Sequence, residues 1–254
     1  MKQLKLMVLT LTLLMGTMFT SCMDSGESGP QQWAGVVKVN DRMGYVTFTD
    51  AAGTELIPTN TIPVTLNARM AYIYCQVDEG QDLSTNPKSI KITLLADPTG
   101  IDATAITTPK VESSDVTTNA PVGSLSFASG YSTVAPFQFS ENTIVLPVLY
   151  RVKNVTTTED IKNELAKHTF TLVCYTDDIK SGDTILKLYL RYKVEDEPAA
   201  IAERATRTSS FKAYEISQIL REYTLKSGQA KPAKITIVAP VSYTHLRAHE
   251  TRHD

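Results

Sequence analysis

The chain has 254 residues, a formal net charge of −2 at pH 7 and a hydrophobic content of 42%. This slight acidity excludes the extended basic surface with which proteins hold nucleic acid, so we predict no nucleic-acid partner. The length and apolar content suit one large domain or two small ones.

The N-terminal stretch has the pattern of a secretory signal. Lys2 and Lys5 precede an apolar run, Leu6–Phe19, that is shorter than the roughly 18–20 residues needed to span a bilayer. Thr20-Ser21-Cys22 then resembles a lipobox, although Phe19 stands where a leucine is usual. We therefore predict a signal peptide over residues 1–21 and a lipid on Cys22. The alternative is ordinary cleavage that leaves Cys22 as a free thiol.

A polar segment, residues 22–32, follows and is typical of a flexible tether. A protein held in this way belongs to the cell envelope, and we predict an outer-membrane lipoprotein. Asp24 and Glu27 resemble the export signals of surface lipoproteins in Bacteroides-type bacteria, but acidic residues also simply keep a tether soluble. Periplasmic and surface display therefore both stay open.

Short strand patterns dominate residues 33–95. In Gly44–Thr49, Val46 and Phe48 share one face, and Asp50-Ala-Ala-Gly53 then supplies turn chemistry for a hairpin. About five such strands at close spacing, without a helical period, predict a small antiparallel barrel.

Residues 96–118 are rich in Thr, Ala, Ser, Pro and Asp and lack periodicity, which is typical of a linker. Strand patterns resume over residues 119–240, where the clearest is Thr184–Val194. Its side chains alternate cleanly between apolar and polar, as in an antiparallel sheet with one solvent-exposed face. These strands predict a β-sandwich as the second domain.

One short helix interrupts the second domain. Thr156–Glu159 has capping-box character, and the pattern after it predicts a helix that ends near Lys167. Ser209–Ile216 fits both a strand and a helix, because a period of 3.6 residues also fits Tyr214, Ile216, Ile219 and Leu220.

The polar side of Thr184–Val194 forms a possible binding face. It mixes cationic and aromatic side chains, namely Lys187, Tyr189, Arg191 and Lys193. Such a face could bind an acidic glycan or a protein partner. The alternative is an ordinary solvated strand face whose charges oppose edge pairing.

No residue pattern predicts catalysis, a metal site or a cofactor. His168 lies at the predicted helix end, where a cation favours the helix dipole. Cys75 and Cys174 lie on apolar strand faces in different domains, which favours buried free thiols. We interpret the carboxylate runs, Asp177-Asp178 and Glu195-Asp196-Glu197, as solvated surface charge. Paired carboxylates would serve hydrolysis only if they converged across a cleft.

The C-terminal stretch Val241–Asp254 looks foreign to the rest of the chain. It contains SYTHLRAHET, which resembles a translated sequencing adapter, and three of the four histidines. We predict a disordered, artefactual tail and exclude it from the fold.

Four segments together resemble the NigD-like lipoproteins of Bacteroides and Prevotella relatives. They are YVTFTDAAGTELIP (Tyr45–Pro58), GDTILKLYLRYKVED (Gly182–Asp196), SFKAYEISQILREY (Ser210–Tyr223) and KITIVA (Lys234–Ala239). The resemblance implies an OB-like N-terminal barrel, an immunoglobulin-like C-terminal sandwich and a strand at Ser209–Ile216. It brings no catalytic residues, and the family's name comes from a bacteriocin operon for which an immunity role was proposed.

The sequence thus predicts an all-β protein that is anchored to the membrane by lipid and is not an enzyme. It would act by binding an unidentified protein or glycan, with bacteriocin immunity as one role. The alternative function is that of a surface glycan-binding or adhesin-type lipoprotein.

Overall fold

The computed structural model describes most of the chain after the tether. The described residues are 7–9, 31–42, 45–61, 66–81, 83, 86–108, 118–129 and 132–240. The predicted lipid-attachment residue Cys22 and the tail 241–254 lie outside them.

Strands make up most of the described secondary structure, and the fold is all-β, as predicted. The strands are β1 (Met7–Leu9), β2 (Gln32–Arg42), β3 (Tyr45–Thr49), β4 (Glu55–Pro58), β5 (Met70–Val77), β6 (Ser89–Leu94), β7 (Thr99–Ile101), β8 (Ala103–Ala105), β9 (Phe127–Ser129), β10 (Ser132–Val134), β11 (Phe137–Ser140), β12 (Thr143–Val152), β13 (His168–Val173), β14 (Ile185–Val194), β15 (Thr206–Glu215) and β16 (Lys234–Ala239).

The helices are few and short. They are α1 (Thr158–Ala166), α2 (Pro198–Ala202) and α3 (Ser217–Ser227), with a 3₁₀ turn at Thr176–Asp178. Within the described residues, no helix has both the length and the apolar character needed to cross a membrane.

The chain divides into two compact units. The barrel unit has its described residues within 15–104 and 139–141, and the sandwich unit has them within 1–14, 105–138 and 142–254. Each unit has its own apolar core.

The barrel unit is a closed five-stranded barrel in the order β2-β3-β4-β6-β5, and β5 pairs back onto β2. The strands β4 and β6, which are third and fifth of the barrel in chain order, run parallel to each other. The other neighbouring strands run antiparallel. This is the arrangement of an OB-fold, so the predicted OB-like barrel is confirmed. The parallel pair was not foreseen, because alternation along a strand does not reveal its neighbour's direction.

The predicted hairpin closes in the way that its sequence indicates. The Asp50 side chain accepts a hydrogen bond from the Thr54 backbone N–H at 2.8 Å, and Gly53 has a φ of +87°. That φ favours glycine because a side chain would clash with the backbone. The turn directs Phe48 and Leu56 into the barrel core, where both are buried.

The sandwich unit contains two sheets. In one, β14 lies between β13, which is antiparallel to it, and β16, which is parallel to it. In the other, β12 and β15 form a long antiparallel pair, and the short strands β8 and β11 belong to the same sheet. Side chains of both sheets meet in one core, for example Leu146 and Tyr214 from one and Leu188 and Ile237 from the other. The predicted sandwich is confirmed.

The ambiguous segment resolves into a strand followed by a helix. The residues up to Glu215 continue β15, as the family resemblance implied, and α3 begins at Ser217. The helical period belongs to α3, which buries Ile219 and Tyr223 and ends at Gly228 with a left-handed φ of 75°.

Part of the predicted linker 96–118 is regular structure. It contains β7 and β8, and Ile106 is buried in the sandwich core. Beyond them, the Thr107 N–H donates to Leu172 O and the Cys174 N–H to Thr107 O, both at 2.9 Å. Three-residue strands are too short to show alternation, which explains why the sequence pattern missed them.

Candidate functional site

The predicted binding face lies on the outer side of β14, but its four residues differ in exposure. Lys187 and Lys193 are exposed, Tyr189 is half-buried, and Arg191 is only 8% exposed. The expectation of a uniformly solvated strip is therefore wrong for Arg191.

Aromatic packing explains the burial of Arg191. Its guanidinium carbon lies 5.7 Å from the ring centroid of Tyr175 and 5.4 Å from that of Tyr189. Arg191 Nη2 also donates a hydrogen bond to Tyr175 Oη at 2.8 Å. The cation is thus held against two rings, a favourable arrangement for a desolvated guanidinium. Lys187 and Lys193 are exposed at the two ends of this face.

A second polar group, which the sequence patterns did not indicate, lies inside the sandwich unit. We call it the Glu164 cluster; its members are Glu164, His168, Tyr192, Asp196 and Arg204. They come from α1, β13, β14 and the segments that follow β14 and α2. Only the i, i+4 spacing of Glu164 and His168 could have hinted at it.

The strongest link in the Glu164 cluster is a two-pronged ion pair. Arg204 Nε donates to Glu164 Oε1 at 2.7 Å, and Arg204 Nη2 donates to Glu164 Oε2 at 3.2 Å. The side chains are 2% and 5% exposed, respectively. The Lys153 backbone N–H donates to Glu164 Oε1 at 2.9 Å. Although burial alone would raise the pKa of Glu164, the hydrogen bonds from Lys153 N–H, Arg204 and His168 lower it overall.

His168 connects this pair to the core. Its Nδ1 lies 2.6 Å from Tyr192 Oη, and its Nε2 lies 3.3 Å from Glu164 Oε1. We assign the neutral tautomer in which Nε2–H donates to Glu164 and Nδ1 accepts from the tyrosine. Burial lowers the pKa of His168. The expected role as a cation at a helix end is therefore wrong, because His168 is the first, buried residue of β13.

Asp196 forms ion pairs with three cations at the rim of the Glu164 cluster. Its Oδ2 lies 3.1 Å from Arg204 Nη2, 3.3 Å from Lys167 Nζ and 3.4 Å from Lys153 Nζ. The hydrogen bond from Arg204, followed by those from the lysines, holds the pKa of Asp196 well below its usual range. The reading of Asp196 as plain solvated charge is therefore a further correction.

The other candidate catalytic groups are not arranged for chemistry. Asp177, Asp178, Glu195 and Glu197 are exposed. Cys75 and Cys174 are buried free cysteines in separate cores, as predicted. Burial raises the pKa of both thiols to about 12, so neither ionises readily at neutral pH.

Among the described residues, we compared the groups of possible metal ligands and one cavity of the barrel unit with typical cofactor sites. Among the described residues, no group of three or more His, Cys, Asp or Glu side chains is placed to hold a metal ion. A cavity of about 240 Å³ opens on the barrel unit, and Asn60, Leu94 and Asp97 are among its lining residues. It is smaller than the roughly 300–1,000 Å³ of typical small-molecule sites. The Asn60 side chain is already bonded on both sides to the Leu94 backbone.

His168 should make the stability of the sandwich unit sensitive to mild acid. Because its pKa is lowered in the native state, the unfolded chain binds the proton more readily. The free energy of unfolding should therefore be highest above about pH 6.5 and should fall as the pH is lowered through that value. Glu164 and Asp196, whose pKa values are also lowered, add a further loss only below about pH 5.

Urea unfolding between about pH 3 and pH 8 measures this dependence for the native chain and for His168→Gln. The variant should lose the decline that begins near pH 6.5 and keep the steeper loss in stronger acid. An unchanged decline in His168→Gln would show that another group is responsible.

The Glu164–Arg204 pair should be costly to break from one side. Arg204→Met leaves a buried carboxylate without its main partner, and we expect a loss of about 3–5 kcal/mol in unfolding free energy. Combining it with Glu164→Leu should recover most of that loss, since the charge is removed. Urea unfolding measures both variants.

A surface ion pair in the same unit provides the control. Lys226 Nζ lies 3.1 Å from Asp177 Oδ1, and both side chains are substantially exposed. Lys226→Met should therefore cost less than about 1 kcal/mol. Equal losses for Arg204→Met and Lys226→Met would contradict the structural role of the buried pair.

Comparison with known proteins places the chain among bacterial envelope proteins. No family model matches it, and no curated protein does. A crystal structure of a Putative lipoprotein from Bacteroides fragilis NCTC 9343 is 95% identical over 83% of this chain and 88% of that chain, with a TM-score of 0.76.

Two other solved structures are less similar to this chain and give no information about its function. A protein of unknown function, DUF1344, from Bacteroides vulgatus matches at 12% identity over 84% of this chain and 92% of its own, with a TM-score of 0.49. A NigD-like immunity protein from Bacteroides caccae matches at 11% identity over 73% of this chain and 77% of its own, with a TM-score of 0.46. The 95% identity is decisive: the chain belongs to the same family of Bacteroides lipoproteins as the Bacteroides fragilis protein.

Proposed function

We propose that this protein is held in the outer membrane by a lipid on Cys22 and that it acts there by binding rather than by catalysis. The proposed anchoring is supported by the signal and lipobox pattern of residues 2–22. It is also supported by the 95%-identical relative, which is named a Putative lipoprotein. The part of the predicted tether before Gln31 then separates the folded units from the lipid.

Binding is favoured over catalysis by the state of the reactive groups. In the described part of the chain, the buried histidine is bonded to Tyr192 and Glu164, and both thiols are kept protonated by burial. The carboxylates of the two acidic runs outside the Glu164 cluster, Asp177, Asp178, Glu195 and Glu197, are exposed. Two β units with closed cores are instead a rigid support for a recognition surface.

The sequence resemblance to NigD-like lipoproteins makes bacteriocin immunity the specific role that we propose. In this role, the protein would capture a bacteriocin at the envelope before the toxin reaches its target. Such capture needs a stable scaffold and a membrane anchor, and it needs no catalytic residue.

Replacement of the anchoring cysteine tests the localisation. Cys22→Ser should abolish fatty-acid labelling of the protein, because serine has no thiol to accept the lipid. Metabolic labelling of Bacteroides cells with a tagged fatty acid, followed by immunoprecipitation, measures this. Cys75→Ala is the matched control: it alters a buried cysteine and should stay labelled. Undiminished labelling of Cys22→Ser would refute the anchoring.

Sensitivity to bacteriocins tests the proposed role. A strain that lacks the gene should be inhibited more strongly by bacteriocin-containing supernatants of related strains than its parent. The native gene should restore resistance and Cys22→Ser should not, since a chain without the lipid is not held in the outer membrane. Growth inhibition zones measure both effects. Equal inhibition of parent and deletion strain across such a panel would remove the immunity role.

The face on β14 supports a second function, the binding of acidic glycans at the cell surface. The exposed cations Lys187 and Lys193 lie on either side of the aromatic pair Tyr175–Tyr189, which is spaced at 5.1 Å. Cations with an adjacent aromatic ring suit a carboxylated or sulfated sugar.

Tyr189→Ala tests this face on an array of anionic glycans. It should weaken binding by roughly 0.5–2 kcal/mol, because the ring that packs beside the sugar and orients Arg191 is lost. Thr169→Ala is the control, since Thr169 is exposed on the neighbouring strand opposite Lys193. Identical array profiles for the native chain and Tyr189→Ala would exclude the β14 face as a glycan site.

A further inference from the structure

The strand β16 pairs with two strands, and one of them lies in the predicted signal peptide. On one side it pairs in parallel with β14, in the middle of the sheet. On the other side it pairs antiparallel with β1, in the register Met7–Ala239, Val8–Val238 and Leu9–Ile237. Because β1 lies inside the predicted signal peptide 1–21, processing at Cys22 would remove it from the sheet.

The edge that this removal opens has little protection of its own. Soluble proteins usually guard a free edge with charged residues, proline, a bulge or a covering segment. The stretch Ile235–Ala239 contains neither a charged residue nor proline; these occur only at its two ends, as Lys234 and Pro240. All five residues between them are buried while β1 is in place. The mature edge is therefore suited to receive another extended apolar strand.

We propose that, in the mature protein, β16 pairs with β16 of a second copy of this chain, so that the two sheets become one across a two-fold axis. The inference rests on the proposed function in one respect, the removal of the leader at Cys22. It adds an interaction surface and a partner that anchoring alone does not require.

Symmetry favours a second copy over an unrelated strand. A two-fold axis perpendicular to a sheet relates two edge strands in antiparallel orientation, which is the orientation that this edge accepts from β1. With the axis midway between Val238 of the two copies, the second copy's Val238 takes the place of Val8. Its Ala239 and Ile237 then take the places of Leu9 and Met7.

The apolar character of the pairing is preserved by this exchange. The leader offers Met-Val-Leu to the edge, and the second copy offers Ile-Val-Ala with the same valine at the centre. Directly opposite residues of an antiparallel pair point to the same face, so the core-facing residues of both copies stay on one side. A shared lipid anchor would also raise the effective concentration of two copies in the membrane plane.

A matched pair of chains tests the proposal without altering the fold. The first is residues 22–254 with Cys22→Ser, which has no leader. The second is residues 1–254 with Cys22→Ser, which keeps β1 on its own edge. Sedimentation velocity over a range of concentrations should show a monomer–dimer equilibrium for the first and a monomer for the second. A leaderless chain that stays monomeric, or equal dimerisation of both chains, would overturn the proposal.

Cross-linking locates the interface. Opposite residues at the centre of an antiparallel pair have Cα atoms about 4.5–5.5 Å apart, within disulfide range. Val238→Cys in the leaderless chain should therefore form a covalent dimer on mild oxidation. Lys187→Cys, an exposed position on the neighbouring strand β14, should not. Dimers that cross-link through Lys187→Cys and not through Val238→Cys would overturn the β16 interface.

The outcome is separable from that of the anchoring experiment. The leaderless chain carries no lipid, so its self-association does not depend on whether Cys22 is modified in the cell. If Val238→Cys fails to fold, the sedimentation comparison still decides between the monomer and the β16 dimer.

Discussion

The one-sided alternation of β14 is the constraint on which most of the sandwich unit depends. Leu186, Leu188 and Leu190 point into the core and are almost fully buried, while the residues between them point outward. A slip of one residue would exchange the two faces and bring cations into the core, so the register of the sheet is firmly specified. With β14 fixed, β13 and β16 pair on its two sides, and both candidate interaction surfaces of this unit, the β14 face and the β16 edge, follow from it.

The same strand organises the buried polar group. Tyr192 is one of its inward residues and meets His168 of β13, and Asp196 follows shortly after its end. The cluster also orients α1 in an unusual way. This helix buries a carboxylate, Glu164, while Ile161 and Leu165 remain 42% exposed. A helix is normally oriented by its apolar residues. Here the two-pronged bond to Arg204 also determines which face of α1 turns inward.

Local patterns were sufficient for the features that depend on neighbours in sequence. The alternation of β14 and the burial of Cys75 and Cys174 as free thiols were predicted and found. The helix α1 was predicted from its capping pattern, and Thr157 Oγ1 accepts a hydrogen bond from the Asp160 N–H at 3.1 Å. In each case the prediction depends only on residues within a few positions of one another, as in strand alternation or helix capping.

The features that the sequence patterns failed to predict depend on contacts between residues that are far apart in the chain. Glu164 and Arg204 are 40 positions apart, and no spacing rule links them. Arg191 was placed on a solvated face because alternation gives the direction of a side chain, and it does not reveal that Tyr175 and Tyr189 enclose it. His168 was misassigned for the same reason, since its burial comes from the tertiary contacts with Tyr150 and Tyr192. Composition and local period cannot supply such information.

We propose that the two apolar cores and the internally bonded polar groups form a stable support for recognition at the cell envelope. That account depends on the processing and lipidation of Cys22, which would also free the β16 edge. The most direct measurement is mass spectrometry of the N-terminal peptide of the native protein, isolated from Bacteroides membranes. The account predicts that the chain begins at Cys22 and carries the mass of attached acyl chains. An unmodified Cys22, or a native chain that retains its leader, would contradict it.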